Sequence, residues 1–288
     1  MQLAVITITL DPVLRLGDTS SVRYETLALA IVLLLGLLVA ARTASRMPSG
    51  DPDDPSAGLR LDDLVFISVG AVPGAIIGGR LGYVLDHLDY YHANTAAIVD
   101  PGQGGLTLTL AVPLAILTGA LIARLLGAPV GRWMQAAVLP LLFVLAAGKF
   151  IGVLGGTGQG AVSDLPWATA YAGPGPWGSL AAELPAHPSQ VYEGLLVAAT
   201  LPLLYLLSRL AGDSRRAGAG LFIALGLWAV VRLAVATTWR DPADVGPLRM
   251  EQALAVVVFA AAVVGVVTRW RRPVTAGRPS LDVEGHPA

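Results

Sequence analysis

Seven apolar segments, each about as long as a helix that crosses a bilayer, constrain this chain of 288 residues more than any other feature. A hydrocarbon core of about 30 Å needs about 20 apolar residues per helix. Only 14% of the residues are charged, against about 25% in an average soluble domain. We therefore predict an all-α integral membrane protein with seven transmembrane helices in one domain over residues 1–272. The predicted helices cover residues 26–42, 64–86, 106–126, 132–155, 190–210, 217–238 and 249–269.

The basic residues predict the orientation of these helices. Membrane proteins keep most Lys and Arg of their short loops on the cytoplasmic side. With an extracytoplasmic N-terminus and a cytoplasmic C-terminus, twelve arginines lie inside and four lie outside. The loops 87–105 and 156–189 contain no Lys or Arg, so both are expected outside. Residues 47–59 are interpreted as a cytoplasmic linker and residues 273–288 as a disordered cytoplasmic tail.

Composition excludes several kinds of chemistry. The chain has no cysteine, which rules out disulfides, thiolate nucleophiles and cysteine-ligated metals, so any reacting thiol must belong to a substrate. The net charge of −1 gives no support for a nucleic-acid partner. The segment Met1–Leu10 is apolar but lacks a basic start, and Asp11-Pro12 follows it. We do not interpret it as a cleaved signal peptide.

The stretch from His187 to Gly194 packs an imidazole, a hydroxyl, an amide, a phenol and a carboxylate into eight residues, with the sequence His-Pro-Ser-Gln-Val-Tyr-Glu-Gly. Pro188 suits the first turn of a helix, because a proline there loses no hydrogen bond. Helical spacing places Gln190 and Glu193 on one face. The predicted orientation puts this motif at the outer surface. It is either a functional site or a polar helix entrance at the membrane surface.

Three basic residues fall inside predicted helices: Arg80, Lys149 and Arg232. A charge inside the bilayer is costly, so such residues are candidates for function. The predicted orientation places all three in the outer third of their helices, where they would bind an anionic head group such as a lipid phosphate. One alternative is that the side chains snorkel to the outer head groups. Another is structural ion pairing with one of three carboxylates, Glu193, Asp86 or Glu25.

Glycines surround two of these cations. Gly70, Gly74, Gly78 and Gly82 recur every four residues and predict a smooth face for close helix packing. Arg80 and Tyr83 lie off this face, and prolines 73, 113, 140 and 202 inside helices would open a cavity by kinking them. After Lys149, a run of glycines would expose backbone N–H groups to a phosphate or a carbonyl. The alternative is that these glycines serve only the packing of the helix end.

The loop 156–186 is rich in Gly, Pro and Ala, and we expect it to be functional or disordered. Its tryptophans and tyrosine suit the interfacial aromatic belt.

Three motifs together resemble the prolipoprotein diacylglyceryl transferases. They are the runs 78–83 (Gly-Gly-Arg-Leu-Gly-Tyr), 164–167 (Asp-Leu-Pro-Trp) and 187–193. The resemblance covers roughly residues 20–270. It implies seven helices with an external N-terminus in the bacterial inner membrane. It also implies transfer of the diacylglyceryl group of phosphatidylglycerol to the thiol of a lipobox cysteine in a prolipoprotein signal peptide. The by-product would be glycerol phosphate, and no metal or cofactor would be used.

The resemblance also implies a set of site residues. Expected catalytic residues are His187, Arg232, Tyr24 and Glu193. Expected phospholipid-binding residues are Arg80, Lys149, Arg232, Tyr83, Gln190, Ser189 and Gly160.

Several family positions are substituted in this chain. Thr109 stands where the family has a histidine, and Lys149 stands where it has an arginine. Two family asparagines are Gly152 and Gly155. Two family glutamates are Thr157 and Ala236, and a family tyrosine is Trp228.

Attack by a thiol on a glycerol carbon needs a base and stabilisation of the phosphate leaving group. The cations for the second task are present. His187 or Glu193 would have to act as the base in place of the missing histidine.

Two other hypotheses fit the sequence. A relative that is catalytically impaired would keep the cations and bind anionic lipid or lipoprotein without transfer. An unrelated transporter or enzyme acting on another anionic lipid would also use helices interrupted by Gly and Pro, although no inverted repeat is visible.

Overall fold

A computed structural model describes residues 5–17, 20–47, 59–100, 104–210 and 218–271. The predicted tail at 273–288 and most of the predicted linker at 47–59 lie outside these ranges. The described chain is mostly helical, and seven of its helical spans are long and apolar enough to cross a membrane. The protein is therefore a multi-pass membrane protein, as the sequence predicts.

The helices follow the predicted segments to within a few residues. They are α1 (Tyr24–Ser45), α2 (Leu61–Asp86), a short α3 (Leu88–Ala93), α4 (Leu108–Leu125), α5 (Val130–Ala136), α6 (Val138–Gly155), α7 (Ser189–Leu210), α8 (Ala219–Val235) and α9 (Met250–Arg271). Their lipid-facing sides are apolar and exposed, as at Ile31 and Leu34. Because apolar surface is stable against lipid tails, such exposure is expected in a bilayer.

The fourth span differs from the prediction of one helix over 132–155. It consists of α5 and α6, separated at Ala137. Pro140 has no N–H to donate to the carbonyl of Ala136, so the helical hydrogen-bond ladder is interrupted there. Pro140 accordingly lies in the first turn of α6. The sequence had predicted that it lies inside one longer helix.

Helix α8 lies at the centre of the bundle. It packs against α7 on one side and α9 on the other, while α6 packs against α7 and α1. The core combines residues of several helices, among them Leu142, Val197, Trp228 and Val258. Three of these, Leu142, Val197 and Trp228, are fully buried. The central position of α8 makes it the natural carrier of a buried site.

The glycine face predicted on α2 is confirmed, because α2 packs most extensively against α4. An added Cβ atom at Gly78 would lie 2.8 Å from the carbonyl carbon of Leu110 and 2.9 Å from Cβ of Leu114. The two backbones can approach this closely only because no side chain separates them. The tight contact fixes the first half of α4 beside the C-terminal half of α2.

The loop 156–186 is more ordered than predicted. Its strand β4 (Thr169–Tyr171) pairs in parallel with β1 (Ile6–Ile8) from the N-terminal segment. A second pair, β2 (Val13–Arg15) with β3 (Ser21–Arg23), forms a hairpin just before α1. Within the loop, the side chain of Gln159 donates 2.8 Å to the carbonyl of Thr169. The loop therefore forms a compact cap over one end of the helix bundle.

A Gly78→Ala substitution tests the close packing of α2 and α4. We expect a loss of about 1–3 kcal/mol in stability, because the new methyl group overlaps a neighbouring backbone that cannot move away. Gly226→Ala is the matched control, because its Cβ atom would lie 3.5 Å from Ala262 in ordinary contact. Thermal unfolding in detergent should show a lower midpoint for Gly78→Ala only. Equal midpoints for the two variants would contradict this packing.

Candidate active site

The loop before α7 holds His187 in a fixed backbone position. The N–H of Gly160 donates 2.8 Å to the carbonyl of His187, and the N–H of His187 donates 2.9 Å to the carbonyl of Ala161. A Cβ atom at Gly160 would lie 3.0 Å from Cβ of His187 and would overlap the Ser189 hydroxyl. Glycine is therefore needed here for packing. Its N–H donates within the protein, and a role of Gly160 in phospholipid binding stays a prediction.

The side chain of His187 belongs to an aromatic cluster. Its Nδ1 atom lies 3.5 Å from the hydroxyl of Tyr192. That hydroxyl accepts a 2.7 Å hydrogen bond from Nε1 of Trp167, whose ring is 49% exposed. Trp167 comes from one motif of the resemblance and His187 from another, so the fold joins them.

Ser189 and Gln190 lie inside the protein, where they connect α7 to its surroundings. The Ser189 hydroxyl lies 2.6 Å from that of Thr238. Gln190 donates 3.0 Å from Nε2 to the hydroxyl of Tyr171. Burial raises the pKa of Tyr171 to about 12. Both Ser189 and Gln190 are at most 2% exposed, and their contacts anchor the helix start.

A buried network of charges follows one turn further along α7. One oxygen of Glu193 lies 2.8 Å from Nζ of Lys149 on α6, and the other lies 2.9 Å from Nη1 of Arg232 on α8. The side chains of Glu193 and Arg232 are 1% and 4% exposed, and that of Lys149 is 20% exposed. Ion pairing with Glu193, one of the predicted alternatives, is therefore confirmed for both cations. The snorkelling interpretation is wrong for them.

Glu251, at the start of α9, is a member of this network that sequence analysis missed. Its Oε2 atom lies 2.9 Å from Nη2 of Arg232 and also accepts a hydrogen bond from the hydroxyl of Thr109 on α4. Glu251 is 5% exposed. A carboxylate at the start of an otherwise apolar helix was the available signal, because such residues are rarely placed in membranes without a partner.

The network is balanced in formal charge. Two cations, Lys149 and Arg232, face two carboxylates, Glu193 and Glu251. Arg232 also lies over the ring of Trp239, with 4.8 Å between its guanidinium carbon and the ring centre. Five helices, α4, α6, α7, α8 and α9, thus meet through hydrogen-bonded charges at one end of the bundle.

Arg80 lies outside this network and contacts the segment before α4. Its guanidinium donates to carbonyls of the segment before α4, 2.8 Å to Ile98 and 2.5 Å to Ala97, and also to Gly104. The rings of Tyr83 and Tyr91 lie 5.9 and 5.2 Å from its guanidinium carbon. In the part of the chain that the structure describes, no carboxylate lies within ion-pair distance of Arg80.

A second carboxylate lies beside another substituted family position. The hydroxyl of Thr157 donates 3.0 Å to Oε2 of Glu25 in the first turn of α1. Arg23 donates 3.2 Å to the same oxygen and 3.3 Å to the carbonyl of Gly155. Tyr24 opens α1 between these two charged residues and is 36% exposed.

The structure thus brings together Lys149, Arg232, Glu193 and the His187 motif from the predicted set. Arg80 and Tyr83 sit with the segment before α4, and Tyr24 sits at the start of α1. All of them lie at the same end of the bundle. The start of α7 contacts the ends of α6 and α8, and the segment before α1 contacts the end of α6. The start of α4 contacts the C-terminal part of α2 and the start of α9.

The fold and this site define a multi-pass membrane protein with a polar, charge-lined centre at one end of its helix bundle. A family model for prolipoprotein diacylglyceryl transferases matches residues 13–268. The chain belongs to that family.

Relatives named phosphatidylglycerol–prolipoprotein diacylglyceryl transferase match along most of their length. The chain is 29% identical to the protein from Nitrobacter hamburgensis, over 91% of this chain and 89% of that one. It is 31% identical to the protein from Beijerinckia indica, over 78% and 80%. It is 32% identical to the protein from Paramagnetospirillum magneticum, over 75% and 76%.

A charge-removal cycle tests the network. We expect Arg232→Met to cost about 3–5 kcal/mol, because it leaves Glu251 buried without a cation. The double variant Arg232→Met/Glu251→Gln should recover most of that loss, since Lys149 and Glu193 still form a pair. Thermal unfolding in detergent measures both. Arg15→Met is the control, because this side chain is 70% exposed and such pairs contribute little. Equal losses in the single and double variants would contradict the pairing.

Proposed function

We propose that this protein transfers the diacylglyceryl group of phosphatidylglycerol to the thiol of a lipobox cysteine in a prolipoprotein. The observation that carries the proposal is the buried network that joins Glu193 of the His187 motif to Lys149 and Arg232. Family membership supports transfer, and the comparisons give no support to a catalytically impaired relative. The site would face the outside of a bacterial plasma membrane, in accordance with the predicted orientation.

The reaction requires one proton acceptor and one cationic site. The thiol loses its proton to a base, and the sulfur then attacks the glycerol carbon that bears the phosphate ester. A carbon–sulfur bond forms while the carbon–oxygen bond to the phosphate breaks. The leaving oxygen keeps the bonding electrons, so glycerol phosphate departs with an added negative charge. Stabilising that charge is the main electrostatic task of the site.

Arg80 is the best candidate for binding the phosphate. Lys149 and Arg232 are already balanced by Glu193 and Glu251, so they add no net charge. Within the described residues, the hydrogen bonds of Arg80 all go to neutral carbonyls, so its positive charge remains to attract an anion. Lys149 is the more exposed of the other two cations and would contribute a direct contact. Arg232 would hold the surrounding helices in place.

His187 is the best candidate for the base. Both oxygens of Glu193 already accept charge-assisted hydrogen bonds, which leaves that carboxylate poorly placed to take a thiol proton. His187 is half-buried, and Tyr192 and Trp167 orient its ring. An oriented imidazole is a common general base. Tyr24, exposed at the start of α1, would contact the incoming lipid or peptide.

Two of the substituted family positions contact carboxylates that come from other helices. Thr109 donates to Glu251, and Thr157 donates to Glu25. Glu251 also reaches Arg232, one helical turn before Ala236, where the family has a glutamate. We propose that Glu25 and Glu251 supply the negative charge that the replaced side chains no longer carry. This exchange supports an active enzyme.

Purified protein, phosphatidylglycerol and a synthetic peptide with a lipobox cysteine provide the test of function. Mass spectrometry should detect a peptide that has gained a diacylglyceryl thioether. Arg80→Ala should lower the rate by about 100-fold or more, as loss of a charge-stabilising donor does. Arg80→Lys should recover part of it, because a lysine keeps the charge but not the planar geometry.

Arg60→Ala is the matched control for Arg80, because it lies at the opposite end of the same helix and is 71% exposed. Its rate should equal that of the unmodified protein. Near-normal activity in Arg80→Ala would rule out the phosphate role of Arg80, and near-normal activity in Arg232→Ala would rule out any role for the network. Bound lipid without product would favour a lipid-binding relative.

Replacing the proposed base gives a second test. His187→Gln removes the proton acceptor but keeps a polar side chain, so the rate should fall by about 10²–10⁴ while phosphatidylglycerol still binds. Tyr192→Phe should have a smaller effect, because it removes only an orienting contact. His92→Gln, on the exposed surface of α3, is the control. A normal rate in His187→Gln would exclude His187 as the base.

A further inference from the structure

A groove lies at the other end of the bundle, far from the polar centre. Its cavity volume is about 500 Å³, and it runs between the last turns of α4, the start of α5 and the end of α9. It is lined by Leu117, Ala120, Leu121, Arg124, Val130 and Arg269. The proposed transfer reaction uses none of these residues.

The lining changes from charged to apolar along the groove. Leu117, Ala120, Leu121 and Arg124 recur at helical spacing on one face of α4. Arg124 lies in the last turn of α4, and Leu117 lies about 10 Å deeper at 1.5 Å per residue. Leu117 and Leu121 are 65% and 53% exposed. A molecule with a charged head and an apolar chain fits this profile, with its head at the arginines and its chain along the leucines.

Both charged residues that line the groove in the described chain are basic. Two guanidinium groups line it, and no carboxylate is among its lining residues in the described chain. Nη2 of Arg269 lies 3.3 Å from the sulfur of Met134, which fixes the side chain against α5. Guanidinium groups bind phosphate oxygens in pairs, with two hydrogen bonds in a fixed geometry. A zwitterionic lipid would bring its own positive charge and be bound less well.

We propose that this groove binds an anionic glycerophospholipid from the leaflet opposite the active site. Its phosphate would bind Arg124 and Arg269, and an acyl chain would lie along Leu117 and Leu121. This site is separate from the proposed substrate site, because its residues lie at the opposite ends of α4 and α9. The lipid would join α4, α5 and α9 at the predicted cytoplasmic surface.

Native mass spectrometry of protein released from nanodiscs that contain phosphatidylglycerol and phosphatidylethanolamine tests the proposal. The unmodified protein should retain phosphatidylglycerol in preference to phosphatidylethanolamine. Made in the Arg80→Ala protein, whose proposed substrate site is weakened, Arg124→Gln/Arg269→Gln should retain at least about tenfold less phosphatidylglycerol, in line with the loss of charge-assisted hydrogen bonds. Arg42→Gln/Arg60→Gln is the matched control, because it removes the same charge from exposed helix ends on the same side.

Two further variants distinguish lipid bound in the groove from lipid bound elsewhere on the protein. Ala120→Phe keeps both arginines but fills the groove, so it should also lose the retained lipid. Arg80→Ala alters the proposed substrate site only, and the lipid bound in the groove should remain. Equal retention in the Arg124/Arg269 and Arg42/Arg60 variants would overturn the proposal, as would a loss of all retained lipid in Arg80→Ala. Failure of the transfer assay would leave this result unaffected.

Discussion

The arrangement of the helices depends on the two ion pairs that the carboxylate of Glu193 forms. Moving a charge out of water costs several kcal/mol, and the cost is repaid only by an opposite charge with good geometry. Glu193 supplies the opposite charge for both Lys149 and Arg232. Its two carboxylate oxygens lie 2.8 Å from Nζ of Lys149 and 2.9 Å from Nη1 of Arg232. Because Arg232 also needs Glu251, four helices must approach at one depth. The central position of α8 follows from that requirement as much as from apolar packing.

Much of this fold could be predicted from the sequence, because bilayer thickness sets the length of each apolar segment. All seven spans were found within a few residues, and the glycine face of α2 was correctly assigned to helix packing. The division of the fourth span was missed, although Pro140 contained the signal. Short-range rules of this kind depend only on neighbours along the chain, and a sequence displays them directly.

The partners of the buried charges could not be predicted in the same way. Thr109 and Glu251 are separated by 142 positions along the chain, and Glu193 and Arg232 by 39. Nothing local distinguishes a cation that binds a phosphate from one that binds a carboxylate, since both need a buried acceptor. The strand pair β1–β4 was missed for a similar reason, because each strand has only three residues and its partner is distant.

The balance of charges also indicates how the site can tolerate substitution. In a neutral, hydrogen-bonded network, a carboxylate can come from any helix that reaches the same guanidinium. In our proposal, Glu251 on α9 therefore takes the place of the glutamate that the family has at position 236, just after α8. A cation that binds a ligand cannot be moved to another helix in the same way, because its side chain must reach the ligand. Arg80, which in the described chain donates to carbonyls and lies over two tyrosine rings, has that role in our proposal. The electrostatic requirement for phosphate binding thus falls on one side chain, while the network around Glu193 maintains the geometry of the helices that surround it.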